Sequence, residues 1–189
     1  MSTAEFNFCL NLHTGFVEGA RLSTCCHFDD RESDEINLLV IHNISLPPNQ
    51  FGGPYIDQFF GGELNPQEHP FFEEIADIKV SSHLLIRRTG EVVQYVPLNK
   101  RAWHAGVSSF QGREKCNDFS IGIELEGADE IPYEEDQYQA LAKITMLLLK
   151  AYPKMSQDRI TGHSDIAPGR KTDPGPAFDW EYYRSLLAR

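Results

Sequence analysis

The chain has 189 residues, 41% of them hydrophobic, and a formal net charge of −11 at pH 7. This length predicts one domain that buries a sizeable core without disulfides, and the acidic balance argues against nucleic acid or an anionic membrane as the main partner. The first ten residues hold no basic or long apolar segment, so we expect no export signal. No apolar run approaches the roughly 18 residues of a membrane span.

The four cysteines are Cys9, Cys25, Cys26 and Cys116, and no two of them form a C-x-x-C pair. We predict reduced thiols, as in a cytosolic protein, rather than disulfides or metal ligands. Cys116 as a catalytic thiol is an alternative. It would need a base or a cationic environment that the sequence does not establish, so we expect it to pack in the core.

The first half of the chain predicts an arm, a strand and a long loop. Residues 1–35 have weak hydrophobic periodicity, and we interpret them as an N-terminal arm with at most short elements before one domain over 36–189. The apolar run 36–41 predicts a buried strand that ends at His42. The polar, glycine-rich stretch 49–69 predicts a long functional loop, with a short helix at 54–60.

The second half of the chain predicts strands and helices in alternation. The runs 84–88 and 91–96 flank a Thr-Gly turn and predict a hairpin, and 119–125 predicts another strand. Residues 135–152 have helical apolar spacing, ended by a proline, and 178–187 predict a terminal helix. The expected fold class is mixed α/β (α+β), with a central mixed sheet flanked by helices.

Two segments concentrate side chains that are suited to catalysis. His42 lies where a predicted strand gives way to a loop, a common place for sites, although a lone histidine is more often structural. The segment TGHSDIAPGRKTDPGP, residues 161–176, sets His163, Lys171 and Asp173 among glycines and prolines. Irregular backbone that carries titratable groups is typical of a site, and a solvated turn has a similar composition.

Two histidines and one carboxylate match the ligand set of a catalytic zinc centre, which leaves the fourth position open. Spacing alone does not select His42, His163 and Asp173, because seven histidines and 28 acidic residues leave other choices. His83 and His104 are rival ligands on composition. The remaining histidines lie in poorly patterned segments where we expect no role: His13, His27 and His69.

Long blocks of the sequence between residues 36 and 180 resemble the AmpD family of cytoplasmic 1,6-anhydro-N-acetylmuramoyl-L-alanine amidases. They are LLVIHNISLPP (38–48), FGGPYID (51–57), VSSHLLIRRTGEVVQYVP (80–97), KRAWHAGVSSFQGRE (100–114), CNDFSIGIELEG (116–127) and TGHSDIAPGRKTDPGPAFDW (161–180). That family is zinc-dependent and shares its fold with peptidoglycan recognition proteins. The resemblance implies hydrolysis of the bond between the lactyl group of (1,6-anhydro)-N-acetylmuramic acid and L-alanine in peptidoglycan fragments. It also implies a place in cell-wall recycling and a link to β-lactamase regulation.

The resemblance assigns the catalytic groups. It implies one Zn²⁺ per chain on His42, His163 and Asp173, with Glu124 as the acid/base and Lys171 as the electrostatic stabiliser. A carboxylate beside an attacking water can carry its proton to the leaving nitrogen, and a nearby ammonium can stabilise the oxyanion. Strand period alone does not distinguish Glu124 from Glu126, which is one alternation further along the same face.

The resemblance also implies substrate contacts, all of which have a simpler reading as loop or core residues. They are Asn43, Trp103, His104, Lys115 and Asn117. Arginine is frequent in the family where this chain has Lys115 and Lys79, and lysine loses the bidentate fork for a carboxylate. We expect an anhydromuropeptide as the partner, no nucleic acid or membrane, a monomer and a cytoplasmic location. The alternative is a non-catalytic module that binds peptidoglycan fragments.

Overall fold

The computed structural model describes residues 7–33 and 35–188. Its strands are β1 (Cys9–Asn11), β2 (Phe16–Glu18), β3 (Arg21–Leu22), β4 (Phe28–Asp30), β5 (Leu38–Ile44), β6 (Leu84–Ile86), β7 (Val92–Gln94), β8 (Lys100–Ala102), β9 (Ser109–Phe110), β10 (Arg113–Glu114), β11 (Ser120–Glu126) and β12 (Ile160–Gly162). Its α-helices are α1 (Tyr55–Gly61), α2 (Pro70–Ile75), α3 (Glu135–Ala151), α4 (His163–Ile166) and α5 (Trp180–Leu187), with 3₁₀ turns at Pro66–Glu68, Cys116–Asp118 and Gln157–Arg159.

A mixed six-stranded sheet, in the order β12-β5-β11-β6-β7-β3, is the centre of the fold. Strands β12, β5, β11 and β6 are parallel neighbours, and β6 pairs with β7 in an antiparallel hairpin. The predicted mixed sheet and hairpin are confirmed. Strand β5 extends to Ile44, because its pairing with β11 continues as far as Glu126. His42 therefore lies inside the strand, whereas the sequence predicted the strand to end there.

Strand β5 is buried on both faces, which explains its nearly continuous apolar run. Leu39 and Ile41 belong to the core cluster that includes the inner face of α3, and Leu38 and Val40 belong to a second cluster with Phe119. All four side chains are fully buried. Each such side chain contributes about 1.5–3 kcal/mol to folding.

Helices cover both faces of the sheet. On one face, α3 and α5 pack through apolar residues that recur at helical spacing, among them Leu141, Ile144, Leu148 and Tyr183. On the other face, the phenylalanines of α1 and α2 pack on Leu85 and Val93. The predicted helices that correspond to α1, α3 and α5 are confirmed, whereas α2 was not predicted because six residues show little periodicity.

The described part of the N-terminal arm consists of short strands, as expected, and these are tied to the rest of the chain. β3 pairs with β7 at the sheet edge, and β4 pairs with β8. The buried Gln94 side chain also bonds to the backbone of Val17 and Gly15. The division into arm and domain after residue 35 stays a prediction. Within the described residues, no helix combines the length and apolarity needed to cross a membrane.

Candidate active site

The predicted metal ligands meet at the carboxyl ends of the parallel strands. His42 lies near the end of β5, and His163 directly follows β12 as the first residue of α4. Asp165 steadies this junction, since its carboxylate accepts the N–H of Gly162 at 2.9 Å. Asp173 lies in the loop after α4, where its carbonyl accepts the N–H of Ser164 at 3.0 Å. Open sheets commonly bind ligands at this edge.

Three ligand atoms from these residues face one another. His42 Nδ1 lies 3.0 Å from His163 Nδ1 and 3.0 Å from Asp173 Oδ2, and His163 Nδ1 lies 3.1 Å from Asp173 Oδ2. Both imidazoles are buried, and Asp173 is partly buried. Burial acts to raise the pKa of Asp173, yet its contacts with His163 and His42 hold that pKa below the ordinary value. An ionised carboxylate and two imidazoles are therefore available as ligands.

The hydrogen bonds of the Nε2 atoms of His42 and His163 indicate which ring nitrogens carry protons. His163 Nε2 lies 3.1 Å from the carbonyl of Ala105, so we assign its proton to Nε2. His42 Nε2 lies 2.9 Å from His104 Nδ1, and His104 Nε2 lies 3.1 Å from Ser120 Oγ. With protons on the Nε2 atoms, the tautomer that metal ligation requires, both Nδ1 lone pairs point at Asp173, whereas in the metal-free protein a proton on Nδ1 bonds to the carboxylate instead. Three electron-pair donors this close together fit a shared divalent cation such as zinc, and the outer partners fix the ligand tautomers.

His104 and His83 are not among the converging ligands. Both are buried, and burial lowers the pKa of His104 well below its ordinary value and that of His83 to about 3. His83 Nδ1 accepts the N–H of Gly122, and its Nε2 donates to the carbonyl of Lys100. His83 therefore has a structural role, whereas composition alone made it a rival ligand. Both nitrogens of His104 are engaged within the protein, and its side chain also lines the cavity beside the ligands, so the substrate contact implied by the resemblance stays a prediction.

Glu124 and Glu126 have different surroundings, which strand period alone did not predict. Glu126 is buried and fully engaged: it accepts from Gly52 N, Arg88 N and the Arg87 guanidinium. Glu124 Oε2 is buried and has no hydrogen-bond partner among the residues that the structure describes. Burial first, and then the negative charge of Asp173, raise the pKa of Glu124 well above its ordinary value. A carboxyl in this state is a candidate proton carrier.

Lys171 is the cation that faces this carboxyl. It is exposed at the residue level, it lines the same cavity as Glu124, and its charge opposes the increase in the pKa of Glu124. Its backbone N–H bonds to the carbonyl of Ala167, which holds the loop after α4.

A cavity of about 390 Å³ opens beside the ligand group. One wall carries His42, His163, Asp173, Glu124 and Lys171. The apolar wall of the cavity comes from the loop after β5, from α1 and α2, and from the segment after α2: Leu46, Phe59, Phe60, Phe71, Ile75, Ile78 and Val80. This apolar wall was not predicted from the sequence. The paired phenylalanines at 59–60 and 71–72 were the available signal.

The predicted substrate residues are in several different places. Asn43 borders the cavity, but its amide donates to Asp129 Oδ1 and the Pro174 carbonyl. Trp103 does not line the cavity and stacks on His27 with 6.2 Å between ring centroids.

Two further predicted substrate residues do not line the cavity beside the ligands. Asn117 Oδ1 accepts the N–H groups of His104 and Ala105. Lys115 borders a second depression of about 560 Å³, together with Arg170. Lys79, the other lysine where arginine is frequent, is exposed.

Comparison with known proteins agrees with the resemblance seen in the sequence. The profile of the family described as N-acetylmuramoyl-L-alanine amidase matches residues 32–176. The 1,6-anhydro-N-acetylmuramyl-L-alanine amidase AmpD of Escherichia coli K12 is 60% identical over 179 residues, which cover 94% of this chain and 97% of that protein.

Solved structures give the same assignment. A crystal structure of a selenomethionine derivative of AmpD matches with a TM-score of 0.91 and 57% identity, covering 95% of this chain and 99% of that one. AmpDH3 from Pseudomonas aeruginosa, in complex with anhydromuramic pentapeptide, matches with a TM-score of 0.59 and 29% identity, covering 80% of this chain and 59% of that one. The expected fold of the peptidoglycan-recognition type is confirmed by these neighbours. The chain belongs to the N-acetylmuramoyl-L-alanine amidase family and, within that family, to the AmpD-type enzymes.

Proposed function

We propose that this chain hydrolyses the amide bond between the lactyl group of 1,6-anhydro-N-acetylmuramic acid and L-alanine in peptidoglycan fragments. The observation that carries the proposal is the convergence of His42, His163 and Asp173 beside Glu124, whose buried oxygen has no partner among the described residues. We further propose one zinc ion per chain on these three ligands and a role in cell-wall recycling. We also propose that the protein is a monomer located in the cytoplasm.

His42, His163 and Asp173 would hold the zinc ion beside the cavity that Glu124 also lines, and three protein ligands suit a catalytic zinc centre. Zinc held there would supply Lewis acidity for the amide carbonyl and for an attacking water. Glu124 takes the proton of the attacking water and gives it to the alanine nitrogen as the C–N bond breaks. A neutral amine then leaves, and the lactyl group keeps the new carboxyl.

Lys171 stabilises the negative charge that develops on the carbonyl oxygen. Its ammonium is a point charge on a flexible stem, at the rim of the cavity that Glu124 lines. The same charge limits the increase in the pKa of Glu124. Lys171 therefore serves both the oxyanion and the proton carrier.

The two depressions divide the substrate between them. The apolar wall of Phe59, Phe71 and Ile75 suits the compact bicyclic sugar, which lacks a free anomeric hydroxyl. The peptide then runs over the second depression, where Lys115 and Arg170 face its carboxylates. The solved complex of AmpDH3 with an anhydromuramic pentapeptide supports this class of ligand.

The test is release of free peptide from an anhydromuramoyl peptide by zinc-loaded protein, followed by chromatography. We expect cleavage that stops with a chelator and in Glu124→Gln. The same peptide on a reduced, non-anhydro muramic acid measures the requirement for the anhydro ring. Binding of the peptide without cleavage by zinc-loaded wild type would contradict the proposal and favour the non-catalytic binding module.

A further inference from the structure

Arg31 projects from the end of the N-terminal arm into the interior of the domain. Its Nη1 donates to the carbonyls of Asn117 at 2.9 Å and Asp118 at 3.2 Å, and its Nη2 donates to the carbonyl of Ser120 at 2.7 Å. Burial lowers the pKa of Arg31 to about 10, so the side chain remains charged at neutral pH. Most of the bonds of this buried cation go to the backbone of one short segment, residues 117–120, which we call the support segment. Arg31 Nη2 also lies 3.0 Å from His83 Nε2 and 3.5 Å from the carbonyl of Leu98.

The support segment holds the backbone and the ring of His104. Asn117 Oδ1 accepts the N–H of His104 at 3.1 Å and that of Ala105 at 2.8 Å. Ser120 Oγ lies 3.1 Å from His104 Nε2. Gly122 underlies the same ring, and a Cβ there would lie 2.5 Å from His104 Cγ. The position of His104 is therefore set by the strand that Arg31 anchors.

Residues 104 and 105 in turn hold both ligand histidines. His42 Nε2 donates to His104 Nδ1 at 2.9 Å, and His163 Nε2 donates to the carbonyl of Ala105 at 3.1 Å. A histidine that binds metal through one nitrogen is oriented by the bond of its other nitrogen. The outer hydrogen bonds of both ligand histidines therefore end on the 104–105 dipeptide. The Asn117 side chain accepts both N–H groups of that dipeptide.

We infer that Arg31 is a positioning residue for the metal centre: through the support segment and the 104–105 dipeptide, it orients both His42 and His163. The inference rests on the proposed function, because it concerns the zinc that the proposed reaction uses. It gives the N-terminal arm a role in the reaction, although none of the arm residues that the structure describes lines the cavity beside the ligands.

Arg159 provides a matched control. It is also half-buried, and it also serves a backbone carbonyl, since its Nε donates to Asn37 O at 2.6 Å and its Nη2 to Asn37 Oδ1 at 2.7 Å. Asn37 precedes β5 at the end opposite His42. Replacing Arg159 therefore removes a comparable structural anchor whose own bonds go to Asn37 and Gln111 rather than to the support segment or the 104–105 dipeptide.

The experiment measures the zinc dissociation constant by competition with a chromophoric chelator in wild type, Arg31→Met and Arg159→Met. We expect both variants to lower the Tm of the metal-free protein. Only Arg31→Met weakens zinc binding, by up to about tenfold, the lower end of the loss typical for a direct partner of a ligand, because Arg31 acts through intervening residues. The absorption bands of the cobalt(II)-loaded protein shift in Arg31→Met alone, because they report ligand geometry rather than stability.

A double-mutant cycle of Arg31→Met with Asn117→Ala tests this path. If Arg31 acts through the support segment, Arg31→Met in the Asn117→Ala background weakens zinc binding by less than it does in wild type. Arg31→Lys, which keeps the charge but loses the fork, replaces Arg31→Met if the latter does not fold, and we expect an intermediate loss of affinity.

Equal zinc affinity in the Arg31 variant and wild type, or strict additivity in the cycle, would overturn the inference and leave the proposed function intact. Failure of wild type itself to bind zinc would instead overturn the proposed function.

Discussion

Glu124 on β11 lies directly opposite His42 on β5 in the parallel ladder. Paired residues on neighbouring strands point their side chains to the same face, so a carboxyl and a metal ligand share one edge of the cavity. The sheet itself sets their spacing. Rigid strands hold a reacting pair better than loops do, which suits a group that must exchange protons beside the metal.

Replacing Glu124 by Gln removes the proton carrier and leaves the three ligands in place. We expect kcat to fall by about 10²- to 10⁴-fold, the usual contribution of general acid–base catalysis, with zinc content unchanged. Steady-state kinetics and metal analysis of the same preparation check this. Glu126→Gln is the matched control: it weakens the buried ion pair with Arg87, so Tm falls while kcat stays close to wild type. Equal losses of kcat in both variants would contradict the assignment.

Replacing Lys171 by Met removes the charge that faces the developing oxyanion. A loss of about 10²- to 10³-fold in kcat is expected, as for other oxyanion donors. Lys171 is exposed, so Tm should not change. The exposed Lys150, at the end of α3, provides the control, and Lys150→Met should leave both quantities unchanged. A kcat for Lys171→Met within twofold of the control would remove this lysine from the mechanism.

Gly122→Ala should weaken zinc binding by displacing the ring of His104. The added Cβ would lie 2.5 Å from His104 Cγ, closer than real contacts allow, so the ring that orients His42 must shift. We expect zinc affinity to fall by about tenfold or more, as when an outer-shell partner is lost. Gly61→Ala is the control, because its Cβ would only meet Thr24 O at 3.5 Å. Competition titration compares the two, and equal affinities would contradict the steric account.

His83 should make the stability of the metal-free protein depend on pH. Burial, followed by the charge of Arg31, lowers its pKa from 6.5 to about 3. Below pH 6.5, His83 therefore binds a proton in the unfolded chain, whereas in the native protein it stays neutral until about pH 3. The free energy of unfolding falls as pH decreases through this window, by up to about 1.4 kcal/mol per pH unit from this residue.

Urea unfolding across that window measures the slope. His83→Gln should reduce the slope, whatever its effect on absolute stability, while His13→Gln, at an exposed histidine, should not. Identical slopes in wild type and His83→Gln would show that His83 is not the buried neutral histidine described above.

The elements predicted well from sequence carry their own local signal. The apolar run of β5 reflects burial of both faces of the strand, and the helical spacing in α3 reflects burial of one face of the helix. Both segments are long enough for the pattern to be recognised. The strands β8, β9 and β10 have only two or three residues and exist because of their partners. Helix α2 begins at Pro70 with the N–H of Phe71 bonded to the side chain of His69, which a short polar loop does not reveal.

The site residues likewise divide into those that a local sequence pattern indicated and those that depend on distant partners. Local patterns drew attention to His42 and to the loop that carries His163 and Asp173, but the family resemblance was needed to select the ligand set. The inward roles of His104 and Asn117 depend on partners far along the chain or across strands. Arg31 shows this most clearly, since its acceptors in the support segment lie more than 80 residues away in sequence and nothing near it marks a buried cation.

The most direct test of the central claim is the zinc content of wild type and His163→Ala, each purified without added metal. The account predicts about one zinc ion per chain in wild type, in keeping with three ligands and one open position. It predicts almost none in His163→Ala, with the fold retained by circular dichroism. A wild-type zinc content in His163→Ala, or a wild-type protein that takes up no zinc, would contradict it.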